Sequence, residues 1–214
     1  MLICCHHTLR DVTFEERVAA AASAGYDAIG INLGAYRQLA DEGRTDEELA
    51  EVLAAHGQRV HEIEALRNWS HDGEAKERSD ALRELAFHIA DTFGATYLQA
   101  VGPYEGDLAH AAASFAELCD RAADHGMVVG LEFLPSISNI PDVATGRALV
   151  EAAGRPNGGL CVDSWHFTRG NPDWDALGDL PGELVKGIQI NDGTIEPEAP
   201  DYQHDGIANR RQCG

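Results

Sequence analysis

Apolar and polar positions along this chain recur as one unit: an Ala-rich amphipathic stretch, a glycine, then a short apolar run. AGYDAIGIN follows the first such stretch, HGQRVHEIEAL the second, FGATYLQAVG the third, HGMVVGLEF the fourth and AGRPNGGLCVDSW the fifth. Gly25, Gly57, Gly94, Gly126 and Gly154 suit the left-handed position after a helix C-terminus. Their spacings of 32, 37, 32 and 28 residues define a β/α period. Thr13 with Glu16, and Thr45 with Glu48, each fit a capping box, in which hydroxyl and carboxylate satisfy orphan amides reciprocally. The apolar runs predict seven strands, near residues 2–8, 28–33, 59–66, 96–102, 127–134, 159–164 and 186–191.

Strands alternating with helices imply an α/β protein with a parallel sheet and right-handed crossovers. The favoured architecture is a (β/α)8 TIM barrel. Such a barrel takes eight units and typically about 250 residues, so residues 1–214 read as one barrel domain, C-terminally incomplete, lacking the eighth β/α unit. A doubly wound open sheet is the competing arrangement. It is disfavoured because no G-x-G-x-x-G follows the first strand and polar residues close several strands rather than one crevice.

Composition narrows the partners. With 214 residues and 44% hydrophobic content the chain can bury one sizeable core. Sixteen Lys and Arg stand against 36 Asp and Glu, a net charge of -20, which repels phosphate backbones and anionic lipid. A small-molecule substrate is expected, with no nucleic acid and no membrane as partner. No apolar run approaches the roughly 20 residues that span a bilayer, and MLICCHHTLR lacks the pattern of a signal peptide, so a cytoplasmic location is expected. The five cysteines, Cys4, Cys5, Cys119, Cys161 and Cys213, contain no C-x-x-C pair and read as reduced, mostly buried thiols.

The candidate chemistry lies at strand ends in the C-terminal half. MVVGLEFL runs into Glu132, GGLCVDSWHF into Asp163 and His166, and VKGIQIND carries Gln189. A carboxylate in an apolar run is tolerated only when it is paired, neutralised or bound to a metal. Two carboxylates, an amide oxygen and an imidazole suit a divalent cation held mostly by oxygen, whether Mn²⁺, Mg²⁺, Co²⁺ or Zn²⁺. In a parallel barrel the reacting groups come from the C-terminal ends of several strands. Around this mouth, His7 beside His6 and Glu64 beside Glu62 are candidate substrate contacts. Trp165, like Trp69 and Tyr104, offers an aromatic face just past a strand end. Arg169 and Arg211, with Arg210, offer guanidinium forks for an anionic substrate.

Over essentially its whole length the chain resembles the xylose isomerase-like barrels, which include sugar phosphate isomerases and epimerases, hydroxypyruvate isomerase, inosose dehydratase and dehydroshikimate dehydratase. The specific part is LEFLPSISNIPDVATGRALVEAAGRPNGGLCVDSWHFTRGNP followed by LPGELVKGIQINDG. By that resemblance Glu132, Asp163 and Gln189 are metal ligands, Glu132 is also an acid/base, and His166 contacts the substrate beside the metal. The implied reaction is proton transfer next to a carbonyl of a sugar, sugar phosphate or related polyol ketone, through an enediolate, giving isomerisation or epimerisation. Loss of a neighbouring hydroxyl would instead give a dehydratase. The eighth-strand Glu of the family pattern has no counterpart before RRQCG, and Glu196, Glu198 and Asp205 lie in the terminal loop. Open sheet edges make a homo-oligomer a further expectation. The same fold also hosts AP endonucleases, whose zinc cluster needs more His ligands than this chain offers, and a non-catalytic accessory barrel is a third reading.

Overall fold

Seven parallel strands, hydrogen-bonded in sequence order, form one curved sheet with helices on its outer face. The computed structural model describes residues 1–135 and 138–211, so Cys213 lies outside the described residues. The order is β1 (Ile3–Cys4), α1 (Phe14–Ser23), β2 (Ala28–Asn32), α2 (Leu33–Asp41), α3 (Asp46–Ala55), β3 (Val60–Leu66), α4 (Gly73–Phe93) and β4 (Tyr97–Val101). It continues with α5 (Leu108–Asp124), β5 (Val128–Glu132), α6 (Val143–Ala153), β6 (Gly158–Asp163), α7 (Ser164–Arg169), α8 (Trp174–Gly178), β7 (Val185–Gln189) and α9 (Tyr202–Ala208). No pairing joins β1 to β7 among the described residues, so the sheet is a barrel wall of seven staves with one open seam.

Local signals explain the elements. Both capping boxes form: the Thr13 and Thr45 hydroxyls accept from the amides of Glu16 and Glu48, whose carboxylates return the bond. Gly94 and Gly154 close α4 and α6 with φ of 70° and 61°, a conformation costly for any side chain with a Cβ. The first strand is shorter than its apolar pattern predicts. Only Ile3 and Cys4 pair with β2, and His6–Leu9 instead form a 3-10 turn. The His6 amide is drawn to Glu64 Oε1 at 2.7 Å and the Thr8 amide to the Cys5 carbonyl, which curls the backbone out of the sheet. Helix α2 is not marked by the glycine period; Asn32 starts it by accepting from the amides of Gly34 and Ala35.

Alternation along the strands separates two layers. Leu98, Ala100, Val129, Leu131 and Leu160 are buried in the hydrophobic core. The opposite positions form a polar lumen containing Glu62 and Glu64 of β3, Gln99 of β4, Glu132 of β5, Asp163 of β6 and Gln189 of β7. Gln189 Nε2 donates to Glu62 Oε1 at 3.2 Å, so β7 and β3 meet across that lumen. The Tyr97 ring lies against two glycines: a Cβ at Gly130 or Gly187 would collide with its hydroxyl. Gly30 does the same for Glu64, whose carboxylate occupies the place of a Cβ. Cys4, Cys119 and Cys161 are buried free thiols, and Cys5 is a half-buried one. No helix among the described residues is long and apolar enough to cross a membrane.

Candidate metal centre

Glu132 ends β5 almost fully buried, 5% exposed. Gln99, two strand positions above Tyr97 on the same lumen face, donates Nε2 to Glu132 Oε2 at 2.9 Å, which leaves Oε1 to face the centre. Asp163 ends β6 and is wholly buried. Its Oδ1 caps α7 by accepting from the amides of Trp165 at 2.6 Å and His166 at 3.1 Å. Oδ2 accepts from Asn191 Nδ2 at 3.1 Å and from Arg210 Nη1 at 2.8 Å. The cap also explains the Asp-x-x-His spacing. A residue three beyond the cap lies over it in the first turn, and His166 Nε2 accordingly stands 3.3 Å from Glu132 Oε1 and 3.9 Å from Asp163 Oδ2.

One donor atom from each of Glu132, Asp163 and His166 lies within 4.8 Å of the others. Ligands bound at about 2.0–2.2 Å to one ion stand roughly 3.0–3.5 Å apart in tetrahedral or octahedral arrangements, so the set is close to closing on a cation. Two carboxylate oxygens and an imidazole nitrogen also match the donor types that first-row divalent ions accept. Buried acids with no cation would each cost several kcal/mol of desolvation; in this structure the Arg210 guanidinium serves as that cation. The residues therefore fit a divalent metal ion.

The other anticipated residues fall into distinct places. Gln189 sits opposite Asp163 in the β6–β7 register and spends its amide nitrogen on Glu62. Glu64 is deep in the lumen, bonded to the His6 amide and, at 3.3 Å, to the Cys5 thiol. Burial, opposed by those two donors, still raises its carboxyl above the usual range. Burial, with the Glu64 charge next in size, likewise raises Glu62. His7 is exposed in the turn after β1, its ring edge-on to His6. Trp165 is buried rather than lining an open wall: the Arg169 and Arg210 guanidinium carbons lie 4.5 and 5.5 Å from its ring. Arg169 is taken up by Asp205 at 3.1 Å and by the carbonyl of Ile195 at 2.7 Å. Arg211 holds Glu198 through two contacts of 2.7 Å, so the terminal-loop acids Glu198 and Asp205 are both committed to arginines.

Three neighbours of the centre were not singled out by the sequence pattern. Gln99 was detectable as the one polar residue in YLQAV, at a lumen-facing position. Asn191 and Tyr202, whose hydroxyl bonds His166 Nδ1, reach the centre from segments 28 and 36 residues away, with no local signature.

A parallel β/α barrel wall with acidic strand ends and a buried carboxylate–imidazole cluster defines the class of protein. The chain belongs to the xylose isomerase-like TIM barrel family, whose model matches residues 18–209. A curated relative, 3-dehydroshikimate dehydratase from Pseudomonas aeruginosa, is 23% identical over 188 residues, 86% of this chain and 29% of its own length. Among solved structures, a fusion of a xylose isomerase-like TIM barrel with 4-hydroxyphenylpyruvate dioxygenase superposes with TM-score 0.83 at 20% identity, over 98% of this chain and 33% of that one. The IOLI protein with a bound zinc atom gives TM-score 0.79 at 20% identity, covering 90% of this chain and 73% of that one. A D-allulose 3-epimerase from Methylomonas sp. gives 0.70 at 21% identity, over 87% and 71%. The chain thus spans about a third of the curated relative and of the fusion protein.

Proposed function

We propose that this chain is a divalent-metal-dependent enzyme that moves a proton next to a carbonyl of a sugar, sugar phosphate or related polyol ketone, interconverting isomers or epimers. The observation that carries the reading is the convergence of Glu132, Asp163 and His166 donor atoms at the ends of adjacent strands. Glu132 and Asp163 would hold the ion, with Gln189 opposite Asp163 beside them. An ion held there would supply Lewis-acid polarisation of the substrate's carbonyl. Glu132 moves the proton, its carboxylate oriented by the Gln99 amide on Oε2. His166, its ring set by the Tyr202 hydroxyl on Nδ1, orients the oxygen end of the substrate. The partner is a small molecule, and the chain acts without nucleic acid, as its net charge of -20 favours.

A dehydratase is the second reading, supported by the curated relative of that name. It uses the same proton abstraction and differs in expelling a neighbouring hydroxyl. The test is solvent deuterium incorporation into ketoses, ketose phosphates, hydroxypyruvate and dehydroshikimate with Mn²⁺, Mg²⁺, Co²⁺ or Zn²⁺. Metal-dependent exchange that drops by roughly 100-fold or more in Glu132→Gln is expected, the scale of losing an acid/base group. Accumulation of a dehydrated product from dehydroshikimate selects the second reading. Absence of both exchange and elimination with every metal would defeat the assignment.

A further inference from the structure

The arginines of the C-terminal segment are engaged with carboxylates: Arg169 with Asp205, Arg211 with Glu198 and Arg210 with Asp163. Two less engaged guanidinium groups stand on the other side of the mouth. Arg67 follows the last residue of β3, is exposed, and makes no hydrogen bond or ion pair through its side chain among the described residues. Its backbone is nonetheless fixed, because Ser79 Oγ donates to the Arg67 carbonyl at 2.9 Å. Arg10, exposed just past the turn His6–Leu9, has only a 3.5 Å contact with Asp11, whose side chain is 89% exposed. Pairs of that kind contribute little.

Glu64 brings these two segments together. From β3 its carboxylate reaches across β2 to the end of β1, accepting from the His6 amide on Oε1 at 2.7 Å and from the Cys5 thiol on Oε2 at 3.3 Å. Gly30 of β2 makes the crossing possible, since a Cβ there would lie 2.4 Å from Glu64 Oε1 and 3.2 Å from the His6 nitrogen. Because β1 and β3 run in the same direction, the residues just past these anchors, His7 and Arg10 on one and Arg67 on the other, share one rim. The effect is felt at His7: burial first, then the charges of Arg10, Arg210, Arg17 and Arg67, hold its imidazole below the ordinary value. Glu64 has a counter-cation of its own in buried Arg17, whose Nε donates to the Leu9 carbonyl. The rim is thus a local excess of positive charge on a chain of net charge -20.

We propose that this side of the mouth is an anion subsite, in which Arg67, Arg10 and the His7 ring receive a phosphate ester or carboxylate carried by the substrate, whose carbonyl end lies toward Glu132 and Asp163. The inference rests on the function proposed above and narrows it, from polyol ketones in general to those that bear an anionic group. A guanidinium fork meets either oxyanion with two parallel N–H···O bonds, and an imidazole donates one more even when neutral. The positive rim draws the anionic end to the β1–β3 side and leaves the acidic side to the reacting end.

The experiment is calorimetric titration of D-fructose, D-fructose 6-phosphate and dehydroshikimate into the unaltered chain, Arg67→Gln, Arg10→Gln and Arg44→Gln, with Mn²⁺ present throughout. The last variant makes the same change in net charge at a surface pair with Glu15 and Glu48. The unaltered chain is expected to prefer one of the two anions over D-fructose by about 10- to 100-fold, the factor carried by one charge-assisted hydrogen bond. Which anion is preferred identifies phosphate or carboxylate as the group received. Arg67→Gln should remove most of that preference and Arg10→Gln a smaller part, while Arg44→Gln keeps it within about two-fold, because salt screens a distant surface charge. If the rim variants do not fold, the unaltered chain decides: its preference should fall as KCl rises from about 50 to about 500 mM. No preference for either anion, a preference that survives both rim substitutions in folded chains, or one that salt leaves unchanged would overturn the subsite. Solvent deuterium exchange into the same three compounds separates the two readings. A rim-dependent preference with no exchange and no elimination would defeat the proton-transfer reading and leave the subsite standing, whereas exchange into D-fructose as efficient as into either anion would do the reverse.

Discussion

Asp163 divides two oxygens between two tasks, one starting α7 and the other facing the centre, and this division is what brings His166 back over β6. Glu132 is divided in the same way, with Gln99 fixing one oxygen and the other left to the cluster. At the opposite side of the mouth His6 is buried, and desolvation together with the Arg17 and His7 charges pushes its imidazole down to about 4. A histidine depressed in the folded state binds its proton less well than in the unfolded chain, where 6.5 is the ordinary value. Stability is therefore unaffected by His6 above about pH 6.5 and is lost as pH falls toward 4. Unaltered and His6→Gln chains are expected to diverge by as much as about 3 kcal/mol in urea unfolding between pH 7 and 4, the variant being the less acid-sensitive. Parallel pH profiles would show that His6 is not held neutral by the fold.

Among elements, β5 and β7 are shaped by a ring on β4. Gly130 and Gly187 leave the space that the Tyr97 side chain fills, and neither can take a Cβ without displacing the phenol. The same packing places Gln99, two residues along β4, beside Glu132. Gly130→Ala is expected to cost about 1–3 kcal/mol by overpacking. Because the tightest collision is with the hydroxyl, with ring carbons at 2.7 and 2.9 Å behind it, Tyr97→Phe combined with Gly130→Ala should recover part of that loss. Chemical denaturation of the two single variants and the double variant measures the coupling, and strict additivity would mean that the strands relax elsewhere.

For the molecule as a whole, the seam between β1 and β7 leaves both edge strands unpaired among the described residues. Exposed Ile188 and Ile190, at 66% and 68%, lie on the β7 side, and Met1 and Leu2 lie on the β1 side. Unpaired edges flanked by apolar side chains template association between chains. Sedimentation velocity is expected to show concentration-dependent self-association that Ile188→Lys with Ile190→Lys reduces. A monomer at every concentration, before and after substitution, would show that the seam is otherwise protected.

The division between sequence and tertiary structure follows the range of the interactions. Helix starts at Thr13 and Thr45, helix ends at Gly94 and Gly154, and the period-two alternation of YLQAV or VVGLE are decided within a few residues, so they were legible in the chain and placed six of the seven strands within two residues at each end. Strand-end acids were legible for the same reason: Glu132 and Asp163 interrupt apolar runs where a charge must have a purpose. The first strand was over-extended because Glu64, nearly 60 residues on, captures the His6 amide and bends the backbone, a contact without local trace. The placements of Trp165 under two guanidinium groups, of Arg169 on Asp205, and of Arg210 on Asp163 and His166 likewise come from a segment that crosses back over the mouth. Sequence alone determined which side chains could do chemistry. Only the tertiary structure decided which of them share one centre, because that depends on strand register and on long-range ion pairs whose partners are chosen by burial.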